Sequence, residues 1–478
     1  MPEQKQPEGI DQESKLNQRL LAGAAQVDMT PKMGTNLVGA PGLRRPAEIL
    51  IDSLFAKALI LDDGQRRLCI LSLDLLGVTE EWSDEIRNGA KERFGLDPDA
   101  VMVHTKSNHA APALGHLSLR LESEYLPPEF SFMKGADDEY HPVAVERTLE
   151  SIGLALENMQ PVRVGIASGV ENRVTFNRRF VMRDGSGQMG LYGRPPTDVA
   201  YREGPIDPEL GVVSFTTESL QPVAFLLHHT CNAVHDFPMR CVTADWPGAW
   251  SSRIRAMYGD DCVPLVICGC GANIDHSDPL NPSHIDTTER MGAILAEATV
   301  PVLKRLVYQD DSRLDYAIRK IKIPLRRVPE HELAEAKALL AEHPTPTWDV
   351  GLEGIPTEWG WIYSLMRLEA DKMFHKDPCW DYEIQAFRIG DFALVAWNGT
   401  VFVEAQLRLK MASPAARTFV ANMSNGYAGY VPTRQALERG GYETWTSSNS
   451  KLAPEALDMI VDSSVDLLDR LFSHEGMG

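Results

Sequence analysis

Six times along this chain a short apolar run stops at a cluster of small, polar and histidine residues. The runs are Leu68–Leu73 before Asp74, Val101–Val103 before His104–His109, and Val223–Leu227 before His228–His229. The others are Val263–Ile267 before Cys268–His276, Phe392–Trp397 before Asn398–Thr400, and Thr418–Met423 before Ser424–Tyr427. An apolar run of about 4–8 residues bounded by turn formers reads as a buried strand. Strands covered on both faces belong to layered α/β architectures, which place ligands outside the carboxyl ends of their strands. The expected fold class is therefore α/β, with layered mixed β-sheets flanked by helices and the active site at strand carboxyl ends.

Three hairpins stand out: Leu54–Leu61 with Arg67–Leu73 across Asp62-Asp63-Gly64, Val212–Thr217 with Val223–Leu227, and Glu383–Ile389 with Phe392–Trp397 across Gly390-Asp391. Asp-Gly and Gly-Asp between β-rich runs are good hairpin signals. In each hairpin the second strand is the more apolar, and it delivers the polar cluster. Helical patterns fall at Glu81–Phe94, Val143–Asn158, Arg290–Val307, Glu330–Glu342, Glu358–Phe374 and Pro454–Phe472, several with apolar residues at i, i+3, i+4 and i+7. Residues 113–142 and 182–210, rich in Gly, Pro and charge, read as loops long enough to serve as lids or substrate-binding segments. Residues 1–20 read as a disordered or loosely docked tail and 21–478 as one catalytic domain, with no internal repeat. The 478 residues would also allow about three average domains.

The net charge of −20 argues against nucleic acid and anionic membrane surfaces. No stretch approaches the roughly 18 consecutive apolar residues of a membrane span, and the polar N-terminus has no signal-peptide core. Seven cysteines, irregularly spaced, read as buried thiols in a reducing cytoplasm rather than a disulfide framework. The expected partner is a small-molecule substrate, with no nucleic acid and no membrane, and self-association into a homo-oligomer is left open.

His228, just past a strand, is a candidate metal ligand or base, and Ala244-Asp245-Trp246-Pro247-Gly248 reads as a helix start. Beyond this point the chain resembles the catalytic domain of the neutral (non-lysosomal) ceramidase family and its shorter bacterial relatives, over roughly residues 21–472. Ala22–Pro31 resembles the family's opening, Leu71-Ser72-Leu73-Asp74 its SxD strand end, and Asn177-Arg178 its NR pair. Phe225-Leu226-Leu227-His228 resembles its zinc-ligand strand and Ala244–Gly248 its AD-x-PG. Ser424–Tyr430 resembles the segment with a metal-ligating tyrosine, and Gly441-Tyr442-Glu443 follows at the family's spacing. The resemblance implies amide hydrolysis by a zinc-activated water, with an arginine and tyrosines stabilising the developing charge.

The chain departs from that pattern at three places. The first histidine of the family's H-x-H-S-G-P becomes Ser107 while the second remains as His109, leaving His104 as a substitute only if the loop is re-routed. The family's ligating glutamate becomes Thr400, with Glu404 one helical turn on. The serine of G-D-x-S-P becomes Asp275, followed by His276 and Asp278, for which a capped turn is the competing reading. The resemblance thus leaves His228, His109 and Tyr427 as metal ligands for Zn2+. Either the metal recruits Asp245, Asp275 or His276, or the site works without one. The expected catalytic residues are His109, Arg178, Asp275, His276, Tyr427 and Tyr442, and the expected substrate-binding residues Lys106, Asn108, Asn273 and Thr400. Three readings stand: hydrolysis of an amide, ester or lactone of a small polar substrate; a metal-independent lyase or isomerase using His, Asp and Arg; and a non-catalytic ligand-binding descendant.

Overall fold

Three β-sheets share one apolar interior. The computed structural model describes residues 20–191, 194–281, 283–285, 287–309, 312–346 and 359–473. The first sheet contains β1 (Leu21–Asp28), β2 (Phe55–Asp62), β3 (Arg67–Leu73), β4 (Val101–Thr105) and β5 (Gln160–Pro161), in the order β4-β3-β2-β1-β5. Only β3 and β4 are parallel, joined through α1 (Glu80–Phe94). Its outer face is covered by α1 and by α2 (His141–Glu157), with Ile60 and Leu71 packed against Ile86, Leu149 and Ile152.

The second sheet repeats the plan. Its strands are β6 (Arg163–Val170), β7 (Glu209–Thr216), β8 (Pro222–His229), β9 (Val263–Cys268) and β10 (Val307–Tyr308), in the order β9-β8-β7-β6-β10. A hairpin of β7 and β8 leads through α3 (Asp245–Tyr258) to the parallel β9. Trp250 of α3 and Leu295 of α4 (Thr288–Leu303) cover the outer face. Apolar periodicity alone extends α4 to residue 307. The helix instead carries Pro301 in its last turn and ends at Leu303, and Val307 joins the sheet edge.

The third sheet has β11 (Leu314–Pro324), β12 (Cys379–Ile389), β13 (Phe392–Trp397) and β14 (Arg417–Ala421) in chain order. Two helices intervene, α5 (Glu330–Glu342) and α6 (Trp359–Lys376), which pack with Leu119 and Met133 of the expected lid at 113–142. The hairpin β12–β13 again leads through a helix, α7 (Val403–Ala412), to the parallel β14, and α8 (Ala456–Phe472) covers the outer face.

Leu59, Ile70, Val213, Leu226, Leu265, Phe387, Leu394 and Phe419 meet in the common interior. Each central strand therefore buries both faces, which explains why these strands read as continuous apolar runs rather than alternating ones. The expected layered α/β class is the observed one. The segment 182–210 departs from its reading as loop. Arg179–Met182, Gly187–Met189 and Val199–Arg202 form a small antiparallel sheet: its central strand Arg179–Met182 is buried, but its two short edge strands are part-exposed and give no apolar period. Most of the expected tail, residues 1–19, lies outside the described residues, as does Glu358. None of the seven cysteines is in a disulfide, and six are buried. No helix of the described residues is long and apolar enough to cross a membrane.

Candidate active site

In each sheet a parallel strand pair ends beside the same cavity. β3 and β4 deliver Leu76, Ser107 and His109; β8 delivers Asn232; β13 and β14 deliver Thr400, Met423, Tyr427 and Tyr430. Beneath it Thr105, Cys231, Cys268, Gly269 and Asn422 close the floor, so all six expected strand ends contribute. Tyr442 and Ser447 complete the wall of a narrow cleft of about 70 Å³.

His109 is held by the turn that follows β4. Ser107 adopts a left-handed φ of 53°, and its carbonyl lies 2.9 Å from His109 Nδ1. A carbonyl can only accept, so Nδ1 carries the proton and Nε2 keeps its lone pair. The backbone is pinned on both sides: His109 N–H donates to the Ala233 carbonyl at 2.9 Å, and Arg45 Nη1 donates to the His109 carbonyl at 2.7 Å. Burial, aided by Arg45 and Arg178, pushes the imidazole pKa down to about 4. His104, fully buried behind it, is pushed down to about 3, chiefly by burial and then by Lys106.

These two shifts predict acid lability. Both folded-state values lie below the 6.5 of an exposed imidazole, so in the intervening window the unfolded chain binds protons that the native chain refuses. Stability is expected to fall as pH drops from 6.5 toward about 4. Urea denaturation at pH 7 and pH 5 checks this; equal or greater stability at pH 5 contradicts it.

Arg178 follows the short strand Phe176–Asn177, which pairs with Ile274–Asp275, and its amide donates to the Asn273 carbonyl at 2.9 Å. Its Nη2 lies 3.5 Å from the Tyr442 hydroxyl and 3.4 Å from Glu443 Oε1. Arg179 grips the other oxygen of Glu443 at 2.7 Å and also pairs with Glu203. Two arginines thus clamp one buried carboxylate and fix the residue beside Tyr442. Burial disfavours the Arg178 charge, but Tyr442, Tyr430, Glu443 and Asp275 outweigh it and hold the guanidinium cationic, its pKa well above the ordinary value. The Tyr430 and Tyr442 hydroxyls are hydrogen-bonded to each other, with their rings edge to face. Burial, then Tyr430, pushes Tyr442 up, while burial and Tyr430 do the same for Tyr427. Both phenols stay protonated and act as donors.

Tyr427 is placed by its backbone. Its N–H donates to Glu80 Oε1 at 3.0 Å and its carbonyl accepts from Arg120 Nη2 at 2.5 Å. Its hydroxyl faces Thr400, the position of the family's glutamate. Beside Arg178, Asp275 accepts the amides of His276 (2.7 Å) and Ser277 (3.4 Å), the capped turn weighed against function. The His276 ring stacks on His235 with centroids 3.6 Å apart, and His235 Nδ1 lies 2.8 Å from Asp245 Oδ1. His235 and Asp245 were not assigned by sequence reasoning as a pair, because nothing in the local pattern points the His235 ring at the start of α3.

Several expected site residues lie elsewhere. His228 is inside β8, not past it; its ring stacks on Phe419 in the interior (centroids 4.6 Å) and its Nε2 lies 3.3 Å from the Val420 carbonyl. The structure therefore does not bring it to His109 and Tyr427. Lys106 is wholly buried and ion-paired to Asp74 at 2.5 Å, which removes it from any substrate. Asn108 is used up by the Thr243 carbonyl (2.7 Å) and the Ala110 amide (2.9 Å). Asn273 caps the start of α7 through the Val403 amide (2.9 Å) and holds Glu404 (2.9 Å), so both are structural partners of one another. His104 bridges Ser424 Oγ (3.1 Å) and the Cys268 amide (3.0 Å) and cannot replace the lost ligand. Of the substrate-binding set, Thr400 alone lines the cavity.

The donor set does not fit a zinc ion. A catalytic zinc wants about three protein ligands. Here His109 and Tyr427 share the cavity while His228 is turned into the core. Ser107 and Thr400 offer only hydroxyls, and the described residues contain no cluster of three His, Cys, Asp or Glu able to hold a metal.

No family model matches the chain, and no curated protein is similar to it at a significant level. Solved structures are similar. A crystal structure of neutral ceramidase from Pseudomonas aeruginosa superposes with a TM-score of 0.70 at 16% identity, covering 95% of this chain and 74% of that one. A ceramidase complexed with C2 gives 0.71 at 16% identity, covering 95% and 75%. The chain has a neutral ceramidase-like fold, as its motifs led us to expect.

Proposed function

We propose that this chain hydrolyses an amide, ester or lactone bond of a small polar substrate, at a site that works without zinc. The observation that carries the reading is the lining of the cavity: the hydrogen-bonded phenols Tyr430 and Tyr442, with the Arg178 guanidinium 3.5 Å from the Tyr442 hydroxyl, share it with the unprotonated Nε2 of His109. The fold of bacterial neutral ceramidase supports it as a scaffold on which an amide is cleaved.

A substrate carbonyl oxygen seated on the phenol pair gains one O–H donor, backed by the hydrogen bond within the pair, that strengthens as it becomes an oxyanion. Arg178 acts through Tyr442, because a fixed positive charge behind a phenol makes it a stronger donor. His109 Nε2 accepts a hydrogen bond from the attacking water. As the new C–O bond forms and the carbonyl electrons move to oxygen, a water proton passes to the imidazole. Its low basicity in the resting cavity is offset by the oxyanion forming nearby. When the tetrahedral intermediate collapses, the bond to the leaving group breaks and that proton moves to the departing atom, restoring neutral His109.

Tyr442→Phe tests this assignment. With Tyr430 left on the same oxygen, kcat is expected to fall about tenfold with KM little changed, and Tyr430→Phe to behave alike. A pair of variants with wild-type kcat on an amide or lactone substrate would remove the phenols from the chemistry.

A further inference from the structure

The cavity wall carries no formal charge. Among the described residues lining it there is no Asp, Glu, Lys or Arg, and His109 is neutral. The cations behind it are already engaged: Arg178 with Glu443, Arg120 with Glu80, and Arg45 with the Val38, His109 and Met239 carbonyls. Burying a charged group against such a wall is costly, because nothing opposite would compensate it. The wall is nevertheless polar. It presents four tyrosines, together with Ser447, Asn232 and Asn449. The Asn449 side-chain oxygen is buried with no hydrogen-bond partner, an acceptor that a ligand hydroxyl would satisfy. His109 Nε2 is a second acceptor, and the Asn232 oxygen is already engaged by Ser107 Oγ at 3.1 Å, which leaves its amide nitrogen as the group to offer. The apolar part is a small patch of Leu76, Leu117 and Met423 against Tyr427, too short for a fatty chain.

Tyrosines beside both free acceptors and donors suit a ring whose faces are C–H and whose rim is hydroxyl. We infer that the substrate is a neutral, hydroxyl-rich molecule: a sugar-like group bearing the scissile amide, ester or lactone. This rests on the hydrolytic reading above and names the substrate class for the same cavity. Asn449 is assigned as a specificity determinant.

Three acetamides with one scissile bond separate the classes: N-acetyl-D-glucosamine (neutral, hydroxylated), N-acetylglycine (anionic) and N-acetylsphingosine (long-chain). Acetate release by the full-length chain is measured for each, with thermal shift by N-acetyl-D-glucosamine in parallel. The expected result is a kcat/KM for the sugar at least about tenfold above the other two, a preference that Asn449→Ala reduces about tenfold. Preference for the anionic or long-chain acetamide overturns the substrate class and leaves the hydrolytic reading standing. A thermal shift by the sugar without turnover of any of the three keeps the class and overturns hydrolysis. Neither shift nor turnover overturns both.

Discussion

Arg178→Ala is expected to lower kcat about tenfold, no more than Tyr442→Phe, while KM changes little and the fold survives. The size follows from what the guanidinium supports: it lies 3.5 Å from the Tyr442 hydroxyl and acts through it, so its removal costs at most what loss of that hydroxyl costs. The fold survives because Glu443, which would otherwise be stranded, keeps its 2.7 Å contact with Arg179. Arg178→Lys should recover part of the loss, since charge is restored without the planar fork. Steady-state kinetics of the two variants beside their melting curves check the assignment. Equal losses in Ala and Lys variants, with melting lowered in both, would mark Arg178 as structural.

Lys106→Ala is expected to destabilise the chain by about 3–5 kcal/mol, because it leaves Asp74 charged and alone in the interior. The pair is sealed on both sides, with side-chain exposures of 0% and 2%. Asp74 otherwise accepts the Phe55 amide at 2.8 Å, and the nearby Lys57, its pKa pushed down to about 7 by burial, compensates the carboxylate only weakly. The double variant Lys106→Met with Asp74→Asn should regain most of the loss. Denaturant titrations of the single and double variants measure this. A stable Lys106→Ala chain with weakened substrate binding would return Lys106 to the cavity, where sequence alone had placed it.

That misplacement shows where the sequence stops being informative. Central strands were legible because both faces are buried, so that apolar runs and hairpin turns mark β2–β3, β7–β8 and β12–β13 directly. The convergence of their ends was legible too, since six polar clusters had to share one site. Which side chain of a cluster faces the cavity was not. β8 runs two residues past the last apolar one, and in a strand neighbouring residues point to opposite faces. His228 therefore enters the interior against Phe419, while His229 turns toward Trp246. His104 and Lys106 were lost to the site in the same way, at the end of β4. Contacts between distant segments were equally silent: Arg178 meets Tyr442 across most of the chain's second half, and His235 meets His276 only because α3 and the turn at Asp275 are folded together. The threefold plan of hairpin, helix and parallel strand is carried by no repeated residues, so it surfaces only in three dimensions.

The same geometry turns the family's zinc ligands into Ser107, Thr400 and a buried His228, and the proposed chemistry rests on phenols, a guanidinium and an imidazole instead. Metal content of the chain, purified without chelator or affinity metal and measured by mass spectrometry, tests this most directly. The account predicts zinc far below one per chain, with turnover and melting temperature unchanged by a chelator. About one zinc per chain, lost with activity on chelation, would contradict it.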